Sequence, residues 1–322
     1  MTNPADPVAV DICVCTFRRP QIADTLASIE KLAVPQGCTV SVIVADNDDT
    51  PSARPLVESW AQRSHFRVTY LHCPARNISI ARNGCLDTCA WDYVAFLDDD
   101  EVATEEWLDQ LLGTARTTGA DVVLGPVEVR YRPGAPAWMQ GGDLHDTRPV
   151  WVRGKIRTGY TCNVLFRRSS PAFSHARFDP GFGQSGGEDS DFFHRAFRNG
   201  ARFVFAPDAI LREEVPDERA TFDWLARRRF RMGHTHGQLI ARDKGLGGRF
   251  GSAALAGLKV IYCLAAAGLT AAAPRRRNHA ALRGLLHIGT LCGLFGWGTP
   301  RHYGQPQSHR VLLSPLSTDI QE

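Results

Sequence analysis

Between residues 10 and 125 the chain alternates short β-branched, apolar runs with stretches of helical period, and this alternation admits few folds. Runs at 10–16 (VDICVCT), 39–45 (TVSVIVA), 67–72 (RVTYLH), 93–97 (YVAFL) and 121–125 (DVVLG) read as strands. Helices are predicted between them, one opened by Pro20 with Ile22, Leu26 and Ile29 on a face, the others over 53–61, 79–89 and 105–115. Strands and helices in this order build an α/β fold, a mainly parallel central sheet with helices on both faces. Such a sheet binds its ligand beyond the carboxyl ends of its strands, so chemistry is sought there.

Residues 131–159 are rich in Gly, Pro, Trp and His without a clear period and read as long loops. A strand is predicted at 161–166, a helix at 191–199 and short strands at 201–205 and 209–212. A long basic helix follows over 221–242, whose His234 and His236 read as surface residues. The start, MTNPADPVAV, has neither a basic n-region nor an apolar h-region, so no signal peptide is expected. Nine cysteines without regular spacing then read as reduced thiols.

Charge divides the chain. From 245 to 318 there is no Asp or Glu, while Arg249, Lys259, Arg275, Arg276, Arg277, Arg283, Arg301 and Arg310 are basic. The net charge of the whole is only +3, so the body is net acidic. The tail is Ala-, Leu- and Gly-rich with few interleaved aromatics, which favours an anionic membrane surface over nucleic acid. Residues 250–273 are long enough to cross a bilayer. A central Lys259, however, costs about 2.5–3.5 kcal/mol against roughly 0.3–0.6 returned by each Phe, Leu, Ile or Val. An interfacial or re-entrant helical pair, 250–273 with 279–298, is therefore expected, with Arg275, Arg276 and Arg277 at the headgroups. The division predicted is a catalytic body over 1–245, with a nucleotide half at 8–130 and an acceptor half at 131–245, and a membrane-associating tail over 246–322.

Three acidic clusters stand where elements meet. Asp46-Asn47-Asp48 follows the second strand, suited to a ribose hydroxyl or base N–H, or equally to a turn that caps the next helix. Asp98-Asp99-Asp100 ends the fourth strand. In extended backbone Asp98 and Asp100 share a side, and paired carboxylates completed by substrate phosphates are a common way to hold Mg2+ or Mn2+. Gly186-Gly187-Glu188-Asp189-Ser190-Asp191 precedes an apolar helix. Ser190 or Asp191 suits a helix cap, the glycines a close approach to a ligand, and Asp189 a general base.

The segments VDICVCTFRRP, VIVADND, NISIARN, VAFLDDDE, TGADVVLGPV, CNVLFRR and GGEDSDFFHRA, in this order, resemble family 2 glycosyltransferases of the GT-A fold, in particular exopolysaccharide members. The resemblance implies an inverting transfer from a nucleotide sugar, usually a UDP-sugar, to a saccharide or polyprenyl-diphosphate-linked acceptor at the cytoplasmic face of a membrane. It implies Thr16, Phe17, Arg18, Asp46 and Asp48 around the nucleoside, and Arg82, Asp98 and Asp99 at the donor diphosphate. Asp98 and Asp100 would hold the cation, Asp189 would be the base, and Glu188 would bind acceptor or orient that base. Glu214, in the strand AILREE, is expected as a third cation ligand, since carboxylate oxygen suits a hard cation. Trp138, Asn163, Gly187 and Asp191 are expected on the acceptor side. A sugar nucleotidylyltransferase would share the sheet and the acids but usually carries a Gly-rich phosphate loop, and TFRRP has no glycine. An inactive membrane scaffold is the remaining alternative.

Overall fold

The computed structural model describes residues 7–140, 144–298 and the backbone of 312–314; Arg301 and Arg310 of the tail lie outside the described residues. In chain order the body runs β1 (Val8–Thr16), α1 (Ile22–Ile29), β2 (Cys38–Asp46), α2 (Arg54–Ala61), β3 (Arg67–His72), α3 (Ile78–Thr88), β4 (Tyr93–Asp98), β5 (Glu101–Ala103), α4 (Trp107–Thr118), β6 (Val122–Leu124) and β7 (Val127–Tyr131). It continues through β8 (Trp151–Val152), β9 (Lys155–Ile156), β10 (Asn163–Arg167), α5 (Glu188–Arg198), β11 (Phe203–Phe205) and β12 (Leu211–Val215). Helices α6 (Phe222–Asp243), α7 (Leu246–Leu269) and α8 (Pro274–Phe295) close the chain, followed by β13 (Leu312–Ser314).

The main sheet has the order β11-β6-β10-β4-β1-β2-β3-β13. β1 lies parallel to β2 and β4, β2 to β3, and only β10 and β13 enter antiparallel. Alternation along β1 explains the burial. Val10, Ile12 and Val14 join Leu26, Trp107 and Leu111 in one core, while Cys13 and Cys15 face Phe96, Phe166 and Phe192 on the other side. Five cysteines, 13, 15, 73, 85 and 89, pack in that second core as small apolar side chains. Register then sets the ligand end: Thr16 pairs with Asp46 and Cys15 with Asp98, so three strands finish at one level.

A three-stranded sheet, β5-β12-β7, caps this end; only its β12 overlaps a predicted strand, that at 209–212. Part of the segment read as loop forms the β8–β9 hairpin. Helix α5 begins three residues before the predicted start, which places Glu188 and Asp189 in its first turn.

The predicted division at 245 falls between α6 and α7, yet α8 returns to pack on α6. Contact is backbone to backbone. A Cβ at Gly233 would lie 1.9 Å from the Leu286 carbonyl oxygen, one at Gly237 2.3 Å from that of Thr290, one at Gly289 2.1 Å from that of Phe230, and one at Gly293 2.0 Å from that of His234. Two small-residue pairs at i,i+4, one on each helix, make this crossing. It buries His234, which corrects its reading as a surface residue. Gly289→Ala is expected to cost about 1–3 kcal/mol through overpacking. Gly257→Ala, on α7 with nothing within 4 Å of its Cβ, should be neutral or slightly stabilising. Melting temperatures of the two variants check this; equal effects would refute the packing.

Candidate active site

The site is assembled where β1, β2 and β4 end. Asp98 closes β4, and its backbone N–H donates to Glu101 Oε2 at 2.8 Å. Glu101 is buried, and desolvation together with the Asp98 charge raises its pKa well above the usual carboxyl range. The chain turns at Asp99 and Asp100 instead of staying extended. Asp99 and Asp100 therefore share a partner, Arg19 from the segment after β1, at 3.1 Å from Asp99 and also paired with Asp100. This corrects the expected alternation. Asp99 is nearly buried with its carboxyl pushed up to about 7 by desolvation.

Helix α3 supplies Arg82 from below. Asn77 caps that helix by accepting from the N–H groups of Ser79 (3.1 Å) and Ile80 (3.3 Å), which fixes the helix start. Buried Arg82 pairs with Glu188 and reaches Asp98 at 3.5 Å. Glu188 is pushed up to about 7 by burial, which outweighs the opposing pull of Arg82. Asp98 itself is 43% exposed, and desolvation plus the charges of Asp100 and Asp189 raise its pKa. Asp98, Asp100, Glu188 and Asp189 thus lie close enough to feel one another. Strand β12 adds Glu213, whose carboxyl, lifted to about 7 by burial and by Asp100, binds Arg219 at 2.9 Å; Arg219 in turn holds Asp100 at 3.1 Å.

The carboxyl groups of Asp98, Asp99, Asp100, Glu188, Asp189 and Glu213 outnumber the guanidiniums of Arg19, Arg82 and Arg219. Among the described residues, no group of three or more acids, histidines or cysteines could hold a metal ion by itself. A pair of carboxylates awaiting phosphate oxygens fits Mg2+ or Mn2+ better than a cage would. Asp98, 43% exposed, and Asp100, held by Arg19 and Arg219, are the two carboxylates here that could serve as such a pair.

Several expected residues stand elsewhere. Asp46 is fully buried and accepts from the N–H groups of Asp48 (3.1 Å) and Ala53 (2.8 Å) and from the Tyr70 hydroxyl (2.8 Å), so it builds the turn after β2 and does not face the mouth. Asp48 is also buried. Hydrogen bonds from Ser52 and from Arg18, the latter at 2.8 Å, outweigh desolvation and hold its carboxyl below the usual range. Arg18 lies over the half-buried Phe17 ring at 5.3 Å, and its φ of 54° lets one residue reach both Phe17 and Asp48.

On the acceptor side, Asn163 is fully buried, accepting from Trp107 Nε1 and donating to the Pro126 and Ala209 carbonyls, each at 2.8 Å. It is a staple between elements. Asp191 is buried in ion pairs with Arg195 and with Arg242 of α6. Gly187, at φ +95°, makes room for Thr235 of α6, 2.5 Å from where its Cβ would lie, and not for a ligand. Trp138 packs near Phe222 in a small core with Met139 and Leu225.

Glu214 is a register error. It points outward to Arg132 at 2.6 Å with 62% of its side chain exposed, while its neighbour Glu213 faces Asp100 and Arg219. Glu213→Gln is expected to weaken Mn2+-dependent nucleotide binding about tenfold or more, as loss of an outer-shell partner does. Glu214→Gln should leave binding unchanged, since an exposed pair is worth about 1 kcal/mol at most. Titration of both variants with nucleotide and Mn2+ decides; the reverse ranking would restore Glu214. Glu213, Arg19 and Arg219 were missed in the sequence. Only Arg19 had a signal there, its place just after the first strand.

The model of the family described as "Glycosyl transferase family 2" matches residues 11–171. The succinoglycan biosynthesis protein ExoM of Rhizobium meliloti (strain 1021) is 50% identical over 302 residues, 94% of this chain and 97% of that protein. A glucosyl-dolichyl phosphate glucuronosyltransferase of Haloferax volcanii is 24% identical over 249 residues, 70% of this chain and 75% of that one. The mannosyltransferase PcManGT from Pyrobaculum calidifontis, solved with GDP-Man and Mn2+, superposes with a TM-score of 0.59 at 19% identity, covering 91% of this chain and 88% of its own. S. aureus TarS 1-349 with UDP-GlcNAc gives 0.51 at 16% identity over 89% and 92%. The solved structures share the GT-A fold; identity over nearly the whole chain and the matched family model go further. With its acids gathered at the carboxyl ends of β1, β2 and β4, this chain belongs to glycosyl transferase family 2 and is a glycosyltransferase.

Proposed function

We propose that this glycosyltransferase moves a hexose, glucose or a close relative, from a UDP-sugar to a polyprenyl-diphosphate-linked saccharide, with inversion at the anomeric carbon. The observation that carries the reading is the meeting of Asp98 and Asp100, at the end of β4, with Asp189 in the first turn of α5. In a single displacement Asp189 takes the acceptor proton as that oxygen attacks the anomeric carbon, and UDP departs with the electron pair of the broken bond. Glu188, tied to Arg82, fixes the turn that carries Asp189. A Mg2+ or Mn2+ ion at Asp98 and Asp100, when bound, supplies charge neutralisation for the leaving diphosphate. Thr16, Phe17, Arg18 and Arg19 form the rim on the donor side.

The relative named for succinoglycan biosynthesis supports a role in exopolysaccharide assembly. The neighbours solved with GDP-Man and Mn2+ or with UDP-GlcNAc support a nucleotide-sugar donor and a divalent cation. Helix α7 is long and apolar enough to cross a membrane and is largely uncovered, which supports membrane association, here proposed at the cytoplasmic face. Thermal unfolding with UDP, GDP and dTDP, each with Mn2+ and then with EDTA, tests the reading. UDP at 100 times its Kd should add about 2.7 kcal/mol, a rise of several degrees, and EDTA should abolish it. A rise that survives EDTA would remove the cation, and no rise with any nucleotide would remove the donor site.

A further inference from the structure

The tail contains a cavity that the transfer reaction does not use. It has a volume of about 530 Å³ and lies between α7 and α8, lined by Arg275, Arg276, His279 and Arg283 of α8 and by Tyr262 and Ala266 of α7. No acid lines it, and none occurs anywhere on either helix. Arg275 and Arg276 were expected between the two tail helices, at the headgroups; in the structure they stand in the first turn of α8. Cations there oppose the helix dipole, so helix stability does not account for them. Beside the cavity, α7 exposes Phe250, Leu255, Leu258, Ile261, Tyr262 and Leu264, each more than half uncovered. Water is a poor partner for such a face.

A ligand that satisfies both features carries an anionic oxygen head and a long apolar body. We propose that the cavity binds the phosphate of an anionic bilayer lipid, with the acyl chains along α7. Guanidinium groups match phosphate oxygens in charge and in fork geometry, and α7 with its neighbours then lies in the interface plane. The site rests on the membrane placement proposed above and adds to it a headgroup requirement.

The test is co-sedimentation of the full chain with vesicles of phosphatidylcholine alone and of phosphatidylcholine with phosphatidylglycerol. The parent should bind the anionic vesicles, and Arg276→Ala with Arg283→Ala should weaken that binding about tenfold or more. Both side chains are exposed and outside the α6–α8 contact, so the fold is spared. The control pair Arg63→Ala with Arg67→Ala removes the same charge from exposed positions on the body and should weaken binding less than twofold or so. Equal losses in the two pairs, or none in the first, overturn the site. Equal binding of the parent to both vesicle types also overturns it while sparing the membrane placement, and binding to neither overturns the placement itself.

Discussion

Asp189→Asn is expected to lower sugar transfer by about 10²- to 10⁴-fold while leaving UDP and Mn2+ binding close to the parent's. Asparagine keeps the shape and keeps an oxygen to accept from the Ser190 N–H, so the first turn of α5 survives. What is lost is the ability to take a proton. Because the acceptor hydroxyl must shed its proton as it attacks, the deficit belongs to the chemical step and appears in kcat. Glu188, one residue earlier, is a poor substitute base, since it is buried and held by Arg82. Single-turnover transfer with a labelled UDP-sugar, beside a nucleotide titration, measures both quantities. Parent-like transfer would sink the assignment of the base, and a parallel loss of nucleotide binding would make Asp189 a donor-site residue instead.

The sheet was legible because its signals are local. Five apolar runs separated by helical periods leave one sensible architecture, and register then brings the strand ends, with Asp98 among them, to one level. Residues at the end of a single strand or the start of a helix could be located in advance, as Asp98 and Asp189 were. The failures are non-local. Nothing in the sequence says that Asn163 has three buried partners from three other segments, or that Asp191 is claimed by Arg242 from α6, 51 positions away. Glu213 and Glu214 are chemically equal in the sequence, and only the pairing of β12 with β5 and β7 decides which faces inward. The glycine pairs of α6 and α8 carried no reading in the sequence, and their meaning appears only when the two helices cross.

Arg82→Met is expected to destabilise the fold, and by more at pH 8 than at pH 5, because it leaves a buried carboxylate without its counter-charge. Arg82 has little exposed surface, pairs with Glu188, reaches Asp98 and lies 5.8 Å from the Phe178 ring centre. Methionine fills much of the same space, so the loss is mainly electrostatic. The pH dependence separates this from a packing defect. Burial already lifts Glu188 to about 7 in the parent, so the fold keeps a proton that the unfolded chain has released. Such a carboxyl favours the folded state at low pH, and that advantage drains away as pH rises from the usual carboxyl range through about 7. Without Arg82 the folded pKa moves higher still, and the drain continues beyond the point where it ends in the parent. The gap between variant and parent should therefore be smaller near pH 5 and wider by about 1 kcal/mol at pH 8, since one pH unit above the parent pKa is worth about 1.4 kcal/mol. Urea unfolding at the two pH values measures it. Adding Glu188→Gln to Arg82→Met should close most of the gap, since the uncompensated charge is gone. A loss that is the same at both pH values, and that the second substitution does not relieve, would show that Arg82 serves the fold by volume alone.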